Sequence, residues 1–182
     1  MTPQRLVLDA CVLINLCATG RLAGIATALG THFVIPREVS AEAFYLRSPE
    51  DDGEDGTPLD LEALITENAL ELADLVGDEL VTFVLAANRL DDGEAAALAL
   101  ALHRGLALAT DDRAALRLIA AQHQALTVIS TAQLMRRYCD QDELSAGSAG
   151  RVLAMIEQRA RFIPPATDPE GPWWESVRAH VF

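Results

Sequence analysis

Short apolar runs alternate along this chain with longer segments whose apolar residues recur every three or four positions, the pattern of an α/β protein built on a parallel sheet. Leu6-Val-Leu-Asp9 reads as the first strand and His32-Phe-Val-Ile35 as the second, with helical sequence through Leu13 to Leu29 between them. Pro36 reads as the opening of a helix, since proline suits a first helical turn. A short helix is expected near Leu61 to Thr66 and a third strand at Leu70 to Leu75. Leu80, Phe83, Val84 and Ala87 keep helical spacing, so Glu79 to Asn88 is expected to be helical despite its β-branched residues. Another helix starts at Asp91-Asp92-Gly93-Glu94 and runs to about Arg104. Leu106 to Ala109 and Thr127 to Ile129 read as the fourth and fifth strands, separated by a helix from Asp112 to about Gln122. Helices near Gln133 to Tyr138 and from Glu143 to Ala160 complete the series.

With 182 residues, the chain fits one ordinary domain and is long enough to bury a substantial core. We expect a folded unit over 1–160, interrupted by an acidic loop at about 47–58. A Pro-rich tail follows over 161–182, with Pro164 to Pro172 as linker and Trp173-Trp174 anchoring it to an apolar surface. Aromatic residues make up only 5% of the chain, so the core should be aliphatic. Cys11, Cys17 and Cys139 show no CxxC or zinc-ligand spacing, and a reducing cytoplasm is the simplest setting. Leu6 to Ala18 resembles a signal-peptide core, but Asp9 and Asn15 interrupt it and no clear cleavage site follows. No apolar run approaches the roughly 20 residues needed to cross a bilayer, so a soluble protein is expected.

The acids at the strand ends carry the chemistry. In open parallel sheets ligands bind beyond the carboxyl ends of the strands. Asp9 follows Leu6-Val-Leu, and Asp111 follows Leu106-Ala-Leu-Ala-Thr. If those strands are neighbours, the two carboxylates converge, and a divalent cation between them would relieve their repulsion. Glu42 shares a helical stripe with Val39, Ala43 and Leu46, which puts an acid on an apolar face and calls for a basic partner, a metal or a proton. Glu94 lies in the first turn of its helix, from which it can reach the same rim.

Structural readings stand beside these. Asp91 and Glu94 have capping-box spacing, which explains Glu94 equally well. Asp112 suits the cap of the following helix, and Glu42 could pair with an arginine. Arg113 and Arg117, one turn apart after Asp111, are placed to meet substrate phosphates, but also fit a solvated helix face. Arg136-Arg137 is a similar, weaker candidate. Asp9 has the weakest structural explanation, since nothing about a strand end requires an aspartate.

Leu6-Val-Leu-Asp-Ala-Cys-Val-Leu-Ile-Asn-Leu16 resembles the opening motif of PIN domains. Leu90-Asp-Asp-Gly-Glu-Ala-Ala-Ala-Leu-Ala-Leu100 and Leu108-Ala-Thr-Asp-Asp-Arg-Ala-Ala-Leu-Arg-Leu118 resemble that superfamily's paired Gly-Glu and Asp-Asp segments, and Pro36-Arg-Glu-Val-Ser-Ala-Glu42 its second-strand segment. The similarity spans about Leu6 to Ala160 and is nearest to PIN-like proteins akin to VapC-type toxins. It implies a three-layer α/β/α sandwich with a central parallel sheet of about four to five strands, and Mg²⁺- or Mn²⁺-dependent hydrolysis of RNA phosphodiesters. By position it implies an acidic quartet of Asp9, Glu42, Glu94 and Asp111, all potential metal ligands, with Asp112 as a candidate helper and Asn15 as a supporting polar residue. It further implies an antitoxin partner and a homodimer. The acidic loop and the Trp173-Trp174 tail depart from a minimal PIN domain.

The charge opposes this reading in part. Twenty-seven acidic against 14 basic residues leave a net charge of −13, which repels a polyanion. Glu50, Asp51, Asp52, Glu54 and Asp55, however, fall in one Gly/Pro-punctuated segment, and four further acids would face a metal. Two other functions fit less well. A non-catalytic PIN-like module binding a protein would suit the acidic surface but not a gathered quartet. A phosphatase using Asp9 as nucleophile would carry a second aspartate two residues on, where Cys11 stands.

Overall fold

Leu6, Val7 and Leu8 are all buried, as expected of a central strand covered on both faces. Their alternation divides the core. Leu6 and Leu8 pack with Phe33 and Ile35 into one apolar cluster, while Val7, Val34 and Leu108 belong to a second on the opposite face.

The computed structural model describes residues 4–40, 45–46, 57–66 and 69–181. Its first half contains β1 (Gln4–Leu8), α1 (Ala10–Ala18), α2 (Leu22–Leu29), β2 (Thr31–Pro36), α3 (Arg37–Ser40), β3 (Tyr45–Leu46), β4 (Thr57–Pro58), α4 (Leu61–Thr66), β5 (Leu70–Ala73) and α5 (Asp78–Ala86). The second half contains α6 (Asp92–Arg104), β6 (Ala107–Ala109), α7 (Arg113–Gln122), β7 (Val128–Ile129), α8 (Thr131–Gln141), α9 (Ala146–Arg159) and α10 (Gly171–Arg178). Five strands form one parallel sheet in the order β5-β2-β1-β6-β7. Side chains of α1, α2, α8, α9 and α10 cover one face, and those of α5, α6 and α7 the other. The chain is therefore a three-layer α/β/α sandwich.

α6 is the helix that fixes the site. Ala95, Ala96, Ala97, Ala99 and Ala101 are buried, and these small side chains let it lie close across β2, β1 and β6. Gly105, at φ +61, closes the helix in the left-handed conformation and turns the chain directly into β6. The helix thus runs against the strands, with its first turn at their carboxyl ends.

Three local expectations are corrected, and the helical sequence from Leu13 to Leu29 resolves into two helices bent by 103°. The Thr19 hydroxyl donates to the Leu16 carbonyl at 2.6 Å and accepts from the Arg21 N–H at 3.0 Å, and Gly20 takes φ +65, which ends α1. Pro36 closes β2 instead of opening a helix, and α3 starts at Arg37. Leu46 pairs antiparallel with Thr57, so it is not part of a helical stripe with Val39. Glu42, Ala43 and the acidic residues Glu50 to Asp55 lie outside the described residues.

The third correction concerns the tail, whose prolines read as a linker but lead into α10, with Pro172 in its first turn. Trp174 is fully buried, lies edge-on to Phe162 at 5.8 Å, and donates from Nε1 to Glu157 at 2.8 Å. Trp173 takes the Arg136 guanidinium over its ring at 5.2 Å. Among the described residues no single helix is long and apolar enough to cross a membrane.

Candidate active site at the carboxyl edge of the sheet

Asp9 leaves β1 and immediately caps α1. Its Oδ1 accepts from the Val12 N–H at 2.8 Å, and its own N–H donates to the Ala109 carbonyl of β6 at 3.1 Å. That second bond continues the β1–β6 register and brings the ends of the two strands together. Asp9 is only 2% exposed. The Cys11 thiol donates to its carboxylate oxygens at 3.0 and 3.1 Å. The Thr110 hydroxyl accepts from the Asp112 N–H and hydrogen-bonds Asp9 as well. Burial dominates these donors and pushes the Asp9 pKa up to about 6, with the Asp111 charge adding to the rise. Burial and the Asp9 charge also push the Cys11 thiol upward, so it stays protonated as a donor.

Asp111 lies past the end of β6 and is held from α8. Its Oδ1 accepts from the Thr131 N–H at 3.0 Å, and its Oδ2 from the Thr131 hydroxyl at 2.5 Å and Asn15 Nδ2 at 3.3 Å. Asn15 also donates to Thr131 Oγ1 at 3.0 Å, so α1, α8 and Asp111 form one polar network. Asn15 and Thr131 are buried. Burial raises the Asp111 pKa despite these donors, and the charge of Asp168 raises it further.

Glu94 is the third residue of α6 and completes a capping box with Asp91. Its Oε2 accepts from the Asp91 N–H at 3.4 Å, a long bond that uses one oxygen only. Capping and rim placement therefore coexist. Burial, followed by the charges of Asp112, Asp91 and Asp9, pushes the Glu94 pKa up to about 7. Asp112 caps α7, its Oδ1 accepting from the Ala114 and Ala115 N–H groups at 2.6 and 2.7 Å. Its structural role is thus explicit, although its charge reaches Glu94.

Arg113 and Arg117 lie exposed on α7 and make no hydrogen bond or ion pair with any described residue. Arg136 differs: it pairs with Asp140 at 2.8 Å and covers Trp173. Of the helices between Leu13 and Leu29 considered as docking sites, Leu13, Leu16, Leu22 and Ile25 are buried in the core.

Sequence reasoning missed the donors Cys11, Thr110 and Thr131, although Thr131 follows β7 and strand-end placement could have found it. It also missed Glu38 of α3, whose buried Oε2 has no partner among the described residues, and Asp168 in the tail. None of the ion pairs among the described residues involves Asp9, Glu94 or Asp111. No group of three or more Asp, Glu, His or Cys among the described residues is already disposed to hold a metal ion. The donors are nonetheless all hard oxygens, several of them uncompensated, which suits Mg²⁺ or Mn²⁺ by donor type.

A parallel sheet between two helical layers, with acids gathered where β1 and β6 end, defines a three-layer α/β/α protein with an acid-lined edge. The chain belongs to the PIN-domain family: a family model described as DUF3368: PIN domain matches residues 5–167. PIN domains are generally nucleases, hence hydrolases. No curated protein matches the chain.

Proposed function

We propose that this protein is a ribonuclease that hydrolyses RNA phosphodiester bonds with Mg²⁺ or Mn²⁺. The observation that carries the reading is the pairing of Asp9 and Asp111 at the ends of adjacent strands, Asp9 buried and Asp111 partly buried, with neither joined to a cation among the described residues. Asp9 and Asp111 would hold the metal, with Glu94, Glu42 and Asp112 completing its surroundings. When bound, such a metal lowers the pKa of a coordinated water and neutralises charge on the phosphoryl oxygens.

The chain's own residues provide orientation. Thr131 and Asn15 fix the Asp111 carboxylate, while Cys11, Thr110 and the Val12 N–H fix that of Asp9. Glu94, with its pKa pushed up to about 7, can hold or release a proton near neutral pH beside the other acids. Arg113 and Arg117 supply positive charge to the approaching RNA backbone on a chain of net charge −13.

The proposal extends to the toxin of a toxin–antitoxin pair acting in the cytoplasm. The support for a protein partner is on α5 and its approach, where Val76, Val81, Val84 and Leu85 are each about 60% exposed or more. An antitoxin or a second copy of the chain would cover that face. The same face favours the rival reading of a non-catalytic protein-binding module. Incubation of the full chain with mixed RNAs distinguishes them: cleavage with Mg²⁺ or Mn²⁺ that stops on chelation is expected, and no cleavage with either metal supports the module.

A further inference from the structure

Asp111 also forms part of the wall of a cavity that the acidic quartet does not account for. The cavity has a volume of about 250 Å³ and lies between the tail segment, α7, β7 and the start of α8. The tail closes it by a local turn. The Asp168 N–H donates to the Pro165 carbonyl at 2.8 Å, and the Glu170 N–H donates to Asp168 Oδ1 at 2.8 Å. Asp168 is only 8% exposed and has no cationic partner among the described residues. It lies one residue beyond the span matched by the family model.

The cavity is smaller than the roughly 300–1,000 Å³ of typical small-molecule sites, which suits one planar heterocycle. Asp111 and Asp168 in its wall repel a phosphate group, so the backbone of a nucleic acid would stay outside while a base could enter. Leu116, Val128 and Pro165 supply apolar surface against which a base face can pack.

The polar wall favours one base. Gln133 Oε1 accepts from the Ser130 N–H at 3.1 Å, which leaves the Gln133 amide NH₂ as donor. Ser130 Oγ accepts from the Gln133 N–H at 3.2 Å, which leaves its hydroxyl hydrogen to donate. An ionised carboxylate accepts at about four positions, so Asp168 retains capacity beyond its bond to Glu170. The wall thus combines an anionic acceptor with two neutral donors. Among RNA bases, guanine alone presents two adjacent donors, N1–H and N2–H₂, beside the acceptor O6. We propose that this cavity is a base-binding subsite that takes the nucleobase flanking the cleaved phosphodiester and prefers guanine, with Asp168 as its specificity-determining residue. The proposal rests on the ribonuclease reading through Asp111, which the subsite and the acidic edge share.

Two measurements on the full chain test it. In the first, RNAs that differ only at the nucleotides flanking the cut are cleaved by the wild-type protein and by Asp168→Asn, which keeps the Oδ1 that holds the tail turn. A guanine preference of about tenfold or more at one fixed position is expected, the scale of one bidentate base contact. In Asp168→Asn that ratio should fall toward unity. Cleavage without base preference, or a guanine preference unchanged in Asp168→Asn, overturns the subsite and leaves the nuclease reading intact. The second measurement titrates guanosine, adenosine, cytidine and uridine 5′-monophosphates while following backbone NMR signals of Thr110, Ser130 and Gln133. It requires no turnover, so it tests the subsite even if no RNA is cut. Guanosine monophosphate should shift those signals at concentrations about tenfold below the others. Equal response to all four nucleotides, or none to any, contradicts the proposal.

Discussion

Thr131 grips Asp111 twice, its N–H reaching Oδ1 at 3.0 Å and its hydroxyl reaching Oδ2 at 2.5 Å. Thr131 is the first residue of α8, separated from β7 only by the cap Ser130, so the sheet edge and a helix start together set the carboxylate's direction. Thr131→Val removes the hydroxyl at nearly constant shape and leaves Oδ2 with the longer Asn15 bond. Urea unfolding should show a loss of about 1–3 kcal/mol, as expected for a partly buried carboxylate losing a hydrogen-bond partner. RNA cleavage should fall about tenfold with the same loss of orientation, and Thr131→Ser should restore most of both.

Asp9 and Glu94 give the metal-free protein a characteristic pH dependence. Both have folded-state pKa values raised by burial, to about 6 and about 7. Unfolded, such carboxyls titrate near pH 4. Between those limits the folded state binds more protons than the unfolded, so stability present below about pH 4 is lost as pH rises toward 7. For Asp9 the loss is on the order of 3 kcal/mol. Thermal melts in EDTA should show this decline, with a shallower slope in Asp9→Asn. A wild-type slope equal to that of Asp9→Asn contradicts the assignment.

The tail helix contributes to the fold as well as to the cavity. Trp174→Ala deletes a fully buried indole and its bond to Glu157, and should cost about 3–5 kcal/mol by denaturant unfolding. Trp174→Phe keeps most of the apolar contact and loses the N–H bond, so about 1 kcal/mol is expected.

Arg113 and Arg117, which have no ion-pair partner among the described residues, supply charge at the approach to an acidic site. Replacing both by Gln should raise KM for RNA several-fold, more than it lowers kcat, and flatten the salt dependence of binding measured by fluorescence anisotropy. An unchanged salt slope would return both residues to the solvated face of α7.

Much of this architecture is legible locally. A run such as Leu6-Val-Leu identifies a strand by itself, and an aspartate at its end is placed by the direction of the strand alone. Asp9 and Asp111 are placed that way, and the β1–β6 pairing brings their strand ends side by side. The position of the break between α1 and α2 is not encoded in apolar periodicity, which continues through it, although Gly20 marks the turn. Pro172 illustrates how one residue type carries two meanings, since proline density suggests a linker while proline in a first turn opens a helix. Glu94 was ambiguous because a single carboxylate both caps α6 and faces the other acids. Asp168 was invisible because its approach to Asp111 depends on the tail folding back across the sheet edge, which no local spacing encodes.

The most direct test compares wild-type and Asp9→Asn protein in RNA cleavage with Mn²⁺, with and without EDTA, alongside circular dichroism melts. Asparagine keeps the oxygen that caps α1 through Val12, so the helix should survive the change. The wild type should cut RNA and stop on chelation, while Asp9→Asn should remain folded and lose about a hundredfold or more in rate, the scale of removing one preorganised active-site contact. Full activity in folded Asp9→Asn, or wild-type cleavage insensitive to EDTA, would contradict a metal-dependent site built on Asp9.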